Sequence, residues 1–550
     1  MRNWIRLAVC AAVVANPLGS SVTARATPPT AYPNHRVNMS APLAAGLTDN
    51  FGGNRQFEPT IAVDPVSGAL VAGAIDFIDK PPCIRTGTSG TTVTGECSTG
   101  QFVGVAGVYT STDGGQHWSQ RGYHDTASTT WKCTTAVIHS LPGYCAQGLF
   151  SGFDPVIVFG PRPVTGGGFS FSQGARAYYV DLASHLLNPQ VNTPVVTVAR
   201  SDDDGTSWMA PVVAGSTTDR ATQINDKDMV WADATATSPC FGNVYAAWDL
   251  LTNHTDANVE FSRSLDGGST WSAAANVTPG YANNPNQPAG AVIRSLPDGT
   301  VVVVWQDFNG GGAVINSALS HDCGATFSAP RTVAALAPLP ILPGSHFDTN
   351  NFPSMDVDSL GDVFVAWSTY ESNAATIRFS RSTDGGLTWS SPIRLNVASA
   401  GQGLEPAVGA APSGGRVVVS YLNYWAGGST PGPGVAHYDV RMAMSSDGGQ
   451  TFMPHQLSSS AGDPDGVYRL SLINEFIGDY TSIAVSTTAA GTTAYPIWTD
   501  ARSARPCPAV DAYSASVGAG TPGPRPDPDV NNQCPLGFGN SDIYMAAVPL

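Results

Sequence analysis

Short apolar, β-branched runs recur along the chain in pairs, each pair split by a turn of Gly, Pro, Asp or Ser. Strands, not helices, are predicted by runs this short with turn residues on both sides. The first pair is Glu58-Pro-Thr-Ile-Ala-Val with Leu70–Ile75, and the second Asp154-Pro-Val-Ile-Val with Ala177–Val180. Asp228-Met-Val goes with Val244–Trp248, Gln287-Pro-Ala-Gly-Ala-Val with Val301–Trp305, and Phe352-Pro-Ser-Met-Asp-Val with Val363–Trp367. Glu405-Pro-Ala-Val with Val417–Tyr421 and Tyr480-Thr-Ser-Ile-Ala-Val with Ala494–Trp498 complete the series. Seven such pairs predict a repeat architecture built from small antiparallel sheets.

A second repeat lies downstream of six of the seven pairs. It reads Ser111-Thr-Asp113-Gly-Gly115-Gln-His-Trp118, and returns with its serine at 201, 264, 320, 382 and 445. The consensus is S-x-D-x-G-x-(T/S)-(W/F), at spacings of 90, 63, 56, 62 and 63 residues. Its chemistry is that of a hairpin turn. The Asp accepts backbone N–H bonds, the Gly takes a positive φ, and the aromatic ring packs between neighbouring units.

The octet is the Asp-box, and the chain resembles the sialidase-like Asp-box (BNR-repeat) β-propellers over nearly all of its length after the leader. The resemblance implies an all-β propeller of four-stranded blades, with strands A to D running outward. Seven inner-strand pairs predict seven blades; six, the number typical of catalytic sialidase domains, is the alternative. The seventh pair has no Asp-box, and Asp542–Val548 reads as its third strand. The early segment His35–Ala41 is then expected to close the ring as the outer strand of blade seven.

Composition narrows the picture. Charged residues are 12% of the chain, and only Lys80, Lys132 and Lys227 supply lysine, which argues against a helical protein. Lys+Arg 26 against Asp+Glu 42 gives a net charge of −16. That balance excludes nucleic acid and anionic membrane surfaces as natural partners. Arg2 and Arg6 precede the apolar run Leu7–Ala15, and Ala24-Arg25-Ala26 fits a cleavage site. Residues 1–26 therefore read as a signal peptide and 27–550 as one propeller domain, secreted and with no membrane-inserting segment. Eight cysteines follow the leader. An exported setting points to disulfides, and near-neighbour pairing gives 83–97, 133–145 and 507–534, leaving 240–323.

Candidate chemistry gathers where the inner strands meet the face opposite the Asp-boxes. Polar residues end the B strands: Asp76, Asp181, Asp249, Asp307, Glu371, Asn423 and Asp500. Others stand at or before the A strands: Glu58, Asp154, Asp226, Asp228, Asp348, Glu405 and Asp479. Such carboxylates could cleave a glycosidic bond as acid and nucleophile or base, bind a structural Ca²⁺, or be solvated strand ends. Asp76, Asp249, Asp307 and Asp500 are the candidate acid, base or nucleophile groups, with Tyr480 and Arg502 orienting substrate. No other cofactor is implied.

Catalytic sialidases carry a Phe/Tyr-Arg-Ile-Pro motif that grips the substrate carboxylate. Here Phe57-Glu58-Pro59 stands in its place, with Glu where the Arg belongs. Tyr480 and Glu475 could imitate the family's Tyr/Glu pair, but lie close together in one loop. The expected function is thus a sialidase-like glycan-processing protein, a glycoside hydrolase acting on an extracellular glycan. The alternative is a non-catalytic propeller that binds a glycan or protein, for instance through Tyr421, Tyr424 and Trp425.

Overall fold

The computed structural model describes residues 32–39, 55–77, 82–86, 92–96, 104–120, 141–185, 194–217, 222–252, 256–278, 288–309, 312–345, 347, 349–396, 401–428, 435–467, 476–518, 521, 523, 534–535 and 538–550. The expected leader lies outside them, as do Cys97, Cys133, Asp348 and Glu475.

Six blades are consecutive four-stranded antiparallel sheets. Blade 1 is Gln56–Val63, Leu70–Asp76, Ala106–Ser111 and Ser119–Gln120. Blade 2 is Leu149–Pro163, Phe169–His185, Val195–Ser201 and Met209–Gly215. Blade 3 is Gln223–Ala232, Val244–Thr252, Asp256–Ser264 and Ala275–Asn276. Blade 4 is Pro288–Ser295, Val301–Asn309, Gly312–Ser320 and Arg331–Leu336. Blade 5 is Ser354–Val357, Val363–Glu371, Ala374–Ser382 and Ile393–Arg394. Blade 6 is Gln402–Ala410, Val417–Ala426, Ala436–Ser445 and Met453–Gln456.

Blade 7 joins the two ends of the chain. Its strands are Ser482–Thr488, Gly491–Asp500 and Asp542–Met545, and its outer strand is His35–Arg36, paired with Met545 and Tyr544. The expected third strand, 542–548, is broken: Val548–Pro549 pairs separately with Ala494 and Thr493. Polar groups seal the seam between this blade and blade 1. Asn38 donates to Gln56 Oε1 (3.0 Å) and Asp542 Oδ1 (2.9 Å) and accepts from the Ile543 N–H (2.8 Å).

Burial between blades holds the ring together. Trp248, Trp305, Trp367 and Trp498, one from each of four B strands, are at most 1% exposed and pack in the layers between neighbouring sheets. The Asp-box rings add to these layers: Phe327 of blade 4 meets Phe261 of blade 3 edge-on at 4.8 Å, and Phe452 meets Phe379 at 4.9 Å.

The octet forms the expected turn, with one addition. In blade 3, Ser264 Oγ donates to Asp266 Oδ1, the Gly268 N–H donates to Ser264 Oγ, and the Thr270 N–H and hydroxyl donate to the two Asp266 oxygens. In blade 4 such bonds pull the Asp322 carboxylate down to about 2, the Thr326 hydroxyl contributing most. The addition is that two successive residues, the fourth and fifth, take positive φ. The fourth is Gly114, Asp204, Gly267, Cys323, Gly385 or Gly448, so the turn restricts a position that the consensus leaves free. A further tie precedes the octet. Arg263 Nη1 donates to the Asp322 and Cys323 carbonyls of the next blade, and Arg381 Nη1 to that of Gly448.

Two of the expected disulfides are formed. Cys240–Cys323 joins blades 3 and 4 on the Asp-box face, and Cys507–Cys534 ties the insertion that carries the helix Pro508–Gly518. Cys145 is disulfide-bonded too, while the 83–97 and 133–145 pairings fall on groups outside the described set. No described helix is long and apolar enough to cross a membrane.

Candidate functional site

The inner strand of five blades carries the same defect. Two residues of strand A face one residue of strand B, a β-bulge, at 58–59, 154–155, 227–228, 290–291 and 405–406. The first residue of each bulge has a positive φ: Glu58 54°, Asp154 54°, Lys227 48°, Gly290 69° and Glu405 47°. Only glycine adopts this backbone without cost. Blades 5 and 7 bring Phe352 and the Asp479-Tyr480 pair to the same level, just before their A strands.

The bulges brace one another around the ring. The Lys227 N–H donates to Asp154 Oδ2 (3.2 Å), and the Asp479 N–H to Glu58 Oε1 (3.2 Å). The Gly290 N–H donates to Asp249 Oδ2 at 2.7 Å. Asn350 Nδ2 holds Asp479 Oδ1 at 2.8 Å, and the Tyr480 hydroxyl donates to the Pro155 carbonyl at 3.2 Å.

Lys227 is the centre of this cluster. Its ammonium lies 3.5 Å from Asp479 Oδ2 and 4.0 Å from Asp154 Oδ1, 4.1 Å from the centre of the Tyr480 ring and 4.9 Å from that of Phe352. Its side chain is 9% exposed, and Nζ has no hydrogen-bond partner. Burial works against its charge, yet Asp479, Asp154, Glu58 and Asp226 together raise its pKa.

The acids divide. Burial, then the charge of Asp154, drives Glu58 well above the ordinary carboxylate range, and Asp228 likewise. The same two causes raise Asp226 to about 7. Glu58 and Asp226 are each within side-chain hydrogen-bonding reach of Asp154. Burial also lifts Glu405 and Asp249. Tyr480 is raised by burial and the neighbouring Glu58, which opposes a phenolate nucleophile.

Below this layer runs the central channel, a cavity of about 450 Å³. Lys227, Asp228, Glu405 and Tyr480 line one end, and Pro65 and Pro412, in exposed turns on the Asp-box face, line the other.

The structure places the sequence candidates unevenly. Tyr480 stands in the cluster, and Asp249 borders it through Gly290 and through Asp226, its register partner. Asp76 is buried within blade 1, accepting from Gln56 (2.9 Å), Tyr109 (2.6 Å) and Gln120 (3.0 Å). Asp307 accepts from Asn316 Nδ2 at 3.0 Å. Asp500 and Arg502 grip each other with two 2.7 Å bonds, and the guanidinium lies 4.0 Å from the centre of the Tyr544 ring. Tyr421 and Tyr424 belong to the hydrophobic core rather than to a surface patch, because their blade packs on both faces. No group of three or more described His, Cys, Asp or Glu side chains is arranged to hold a metal. Sequence reasoning passed over Lys227. Aligning the A strands position by position would have found it, in the slot of Glu58, Asp154 and Glu405.

Fold and repeat define a class. Residues 193–499 match the family described as the BNR repeat-like domain, and the chain belongs to that family. No curated protein matches it. Solved structures are similar to it at low identity. A Hadza microbial sialidase, Hz136, is 15% identical, with 73% of this chain and 66% of that one covered and a TM-score of 0.39. An α-L-arabinanase from Penicillium chrysogenum with arabinobiose is 14% identical, covering 72% and 94%, with a TM-score of 0.42. A protein of unknown function from Dyadobacter fermentans is 14% identical, covering 75% and 98%, also at 0.42.

Proposed function

We propose that this chain is a glycan-processing propeller that hydrolyses glycosidic bonds at the bulge cluster. One observation carries the reading: acids in different states surround a single buried ammonium. Glycoside hydrolysis needs a carboxylic acid that still holds its proton near neutral pH and a second carboxylate within ~10 Å of it. Asp226, raised to about 7, fills the first role and donates its proton to the leaving oxygen. Asp479, paired with Lys227 at 3.5 Å and 28% exposed, fills the second and takes a proton from the attacking water. Asp154 touches both Asp226 and Lys227, so the acid and the carboxylate share a neighbour.

The two disulfides support an extracytoplasmic setting for this activity. The test is product release from neutral and acidic polysaccharides, read by mass spectrometry, for the wild type, Asp226→Asn and Asp479→Asn. Release that falls at least 100-fold in both folded variants supports the assignment. Saturable binding without release would make the chain a binding propeller instead.

A further inference from the structure

Four buried polar atoms at the inner end of the channel have no hydrogen-bond partner: Lys227 Nζ, both carboxyl oxygens of Asp228, and Glu405 Oε2. Asp228 is 3% and Glu405 6% exposed, and all three residues line the cavity. Buried polar groups are rarely left unpaired, and each one left so is destabilising, more so when charged. Three of them sharing one cavity point to a ligand that satisfies them.

The chemistry of that ligand follows from the groups. Lys227 offers only N–H donors, so the ligand must present acceptor oxygens. The Asp228 and Glu405 carboxyls, raised by burial, need a partner that accepts from a held proton and donates to the remaining lone pairs. Hydroxyl groups do both. An anionic ligand would have to enter beside the Asp154 and Asp479 carboxylates, which already take up the charge of the lysine it would need. A purely cationic one would leave Lys227 without acceptors. We propose that this end of the channel binds a neutral saccharide, whose adjacent hydroxyls bridge Lys227 Nζ to Asp228 and Glu405. The inference rests on the glycan-processing reading and names its substrate class.

The test reads binding, not turnover. Calorimetry would compare neutral oligosaccharides (arabino-, galacto- and gluco-series) with uronic-acid and sialic-acid oligosaccharides of equal length. The proteins are wild type, Lys227→Met, and the near-isosteric Glu405→Gln and Asp228→Asn. At least one neutral series is expected to bind ten-fold or more tighter than every anionic one. Its affinity should fall at least ten-fold in Lys227→Met and Glu405→Gln. Should Lys227→Met fail to fold, Glu405→Gln and Asp228→Asn decide alone. Tighter binding of an anionic series, no saccharide binding at all, or unchanged affinity in the folded variants would overturn the inference. Neutral binding without hydrolysis would remove the hydrolase reading and leave the ligand class standing. Hydrolysis of anionic substrates alone would do the reverse.

Discussion

Replacing Asp226 by Asn should stabilise the protein at alkaline pH while abolishing the proposed hydrolysis. The carboxyl is raised from 3.8 to about 7, first by burial and then by Asp154, with Lys227 opposing. The folded state therefore holds a proton that the unfolded chain has released across that window. Stability from this group is present below pH ~4 and is lost as pH rises towards 7. Three units correspond to ~4 kcal/mol, and the part between pH 5 and 8 to ~3 kcal/mol. Asn is neutral throughout, and its amide can still donate to Asp154. Thermal melts at pH 5 and pH 8 would measure the effect. At no more than ~2 °C per kcal/mol, the variant's Tm relative to wild type should rise by up to ~6 °C between the two pH values. Equal differences at both pH values, or a variant less stable at pH 8, would refute the placement of Asp226 among uncompensated acids. A gain in stability paired with lost turnover is what a site built against stability produces.

Other outcomes follow from the same geometry. Lys227→Met should cost ~3–5 kcal/mol, seen as a lower Tm at pH 8 that partly recovers at pH 5 as its acids take up protons. Gly114→Ala and Gly115→Ala separate backbone strain from packing. Both sites have positive φ, but a Cβ at 114 meets nothing within 4 Å whereas one at 115 lies 2.7 Å from Met545 Cε. The first should cost ~1 kcal/mol and the second clearly more in denaturant melts. Asn38→Ala should loosen the ring closure by ~2–3 kcal/mol, with faster cleavage near the N-terminus under limited proteolysis. Arg263→Ala should cost ~1–2 kcal/mol, rising when the Cys240–Cys323 bond is removed, since both tie blade 3 to the Asp-box of blade 4.

The fold was legible because each blade repeats its own signals. The octet needs Ser, Asp and Gly at set places to close one hydrogen-bonded turn, and the B-strand Trp residues need a layer between sheets to hide in. Those requirements are local, so sequence displays them. The closure by His35–Arg36 was legible only by elimination, since two residues of strand carry no pattern of their own. The site was less legible. The polar ends of the B strands and the starts of the A strands look alike in sequence. Which set reaches the channel depends on the bulge, and a bulge is a property of pairing register. Asp76 and Asp500 therefore stood ahead of Asp226 as candidates, yet their partners are the Gln, Tyr and Trp side chains of their own blades and Arg502.

The bulges themselves argue that the cluster is more than a plug. Gly290 shows what the backbone prefers at this position, since glycine takes φ 69° there freely. Glu58, Asp154, Lys227 and Glu405 adopt the same conformation with side chains that resist it, at ~1 kcal/mol or more each. A ring built for stability alone would carry glycine or asparagine in that slot and an apolar group beneath it. Instead the strained position carries an ionisable side chain in four of the five bulged blades, and places the unsatisfied atoms of Lys227 and Glu405 in the channel wall. Strain and unpaired polarity are both costs, and they fall on the same residues. Binding a ligand there would recover the second cost, and the first is what holds the groups in place to do it.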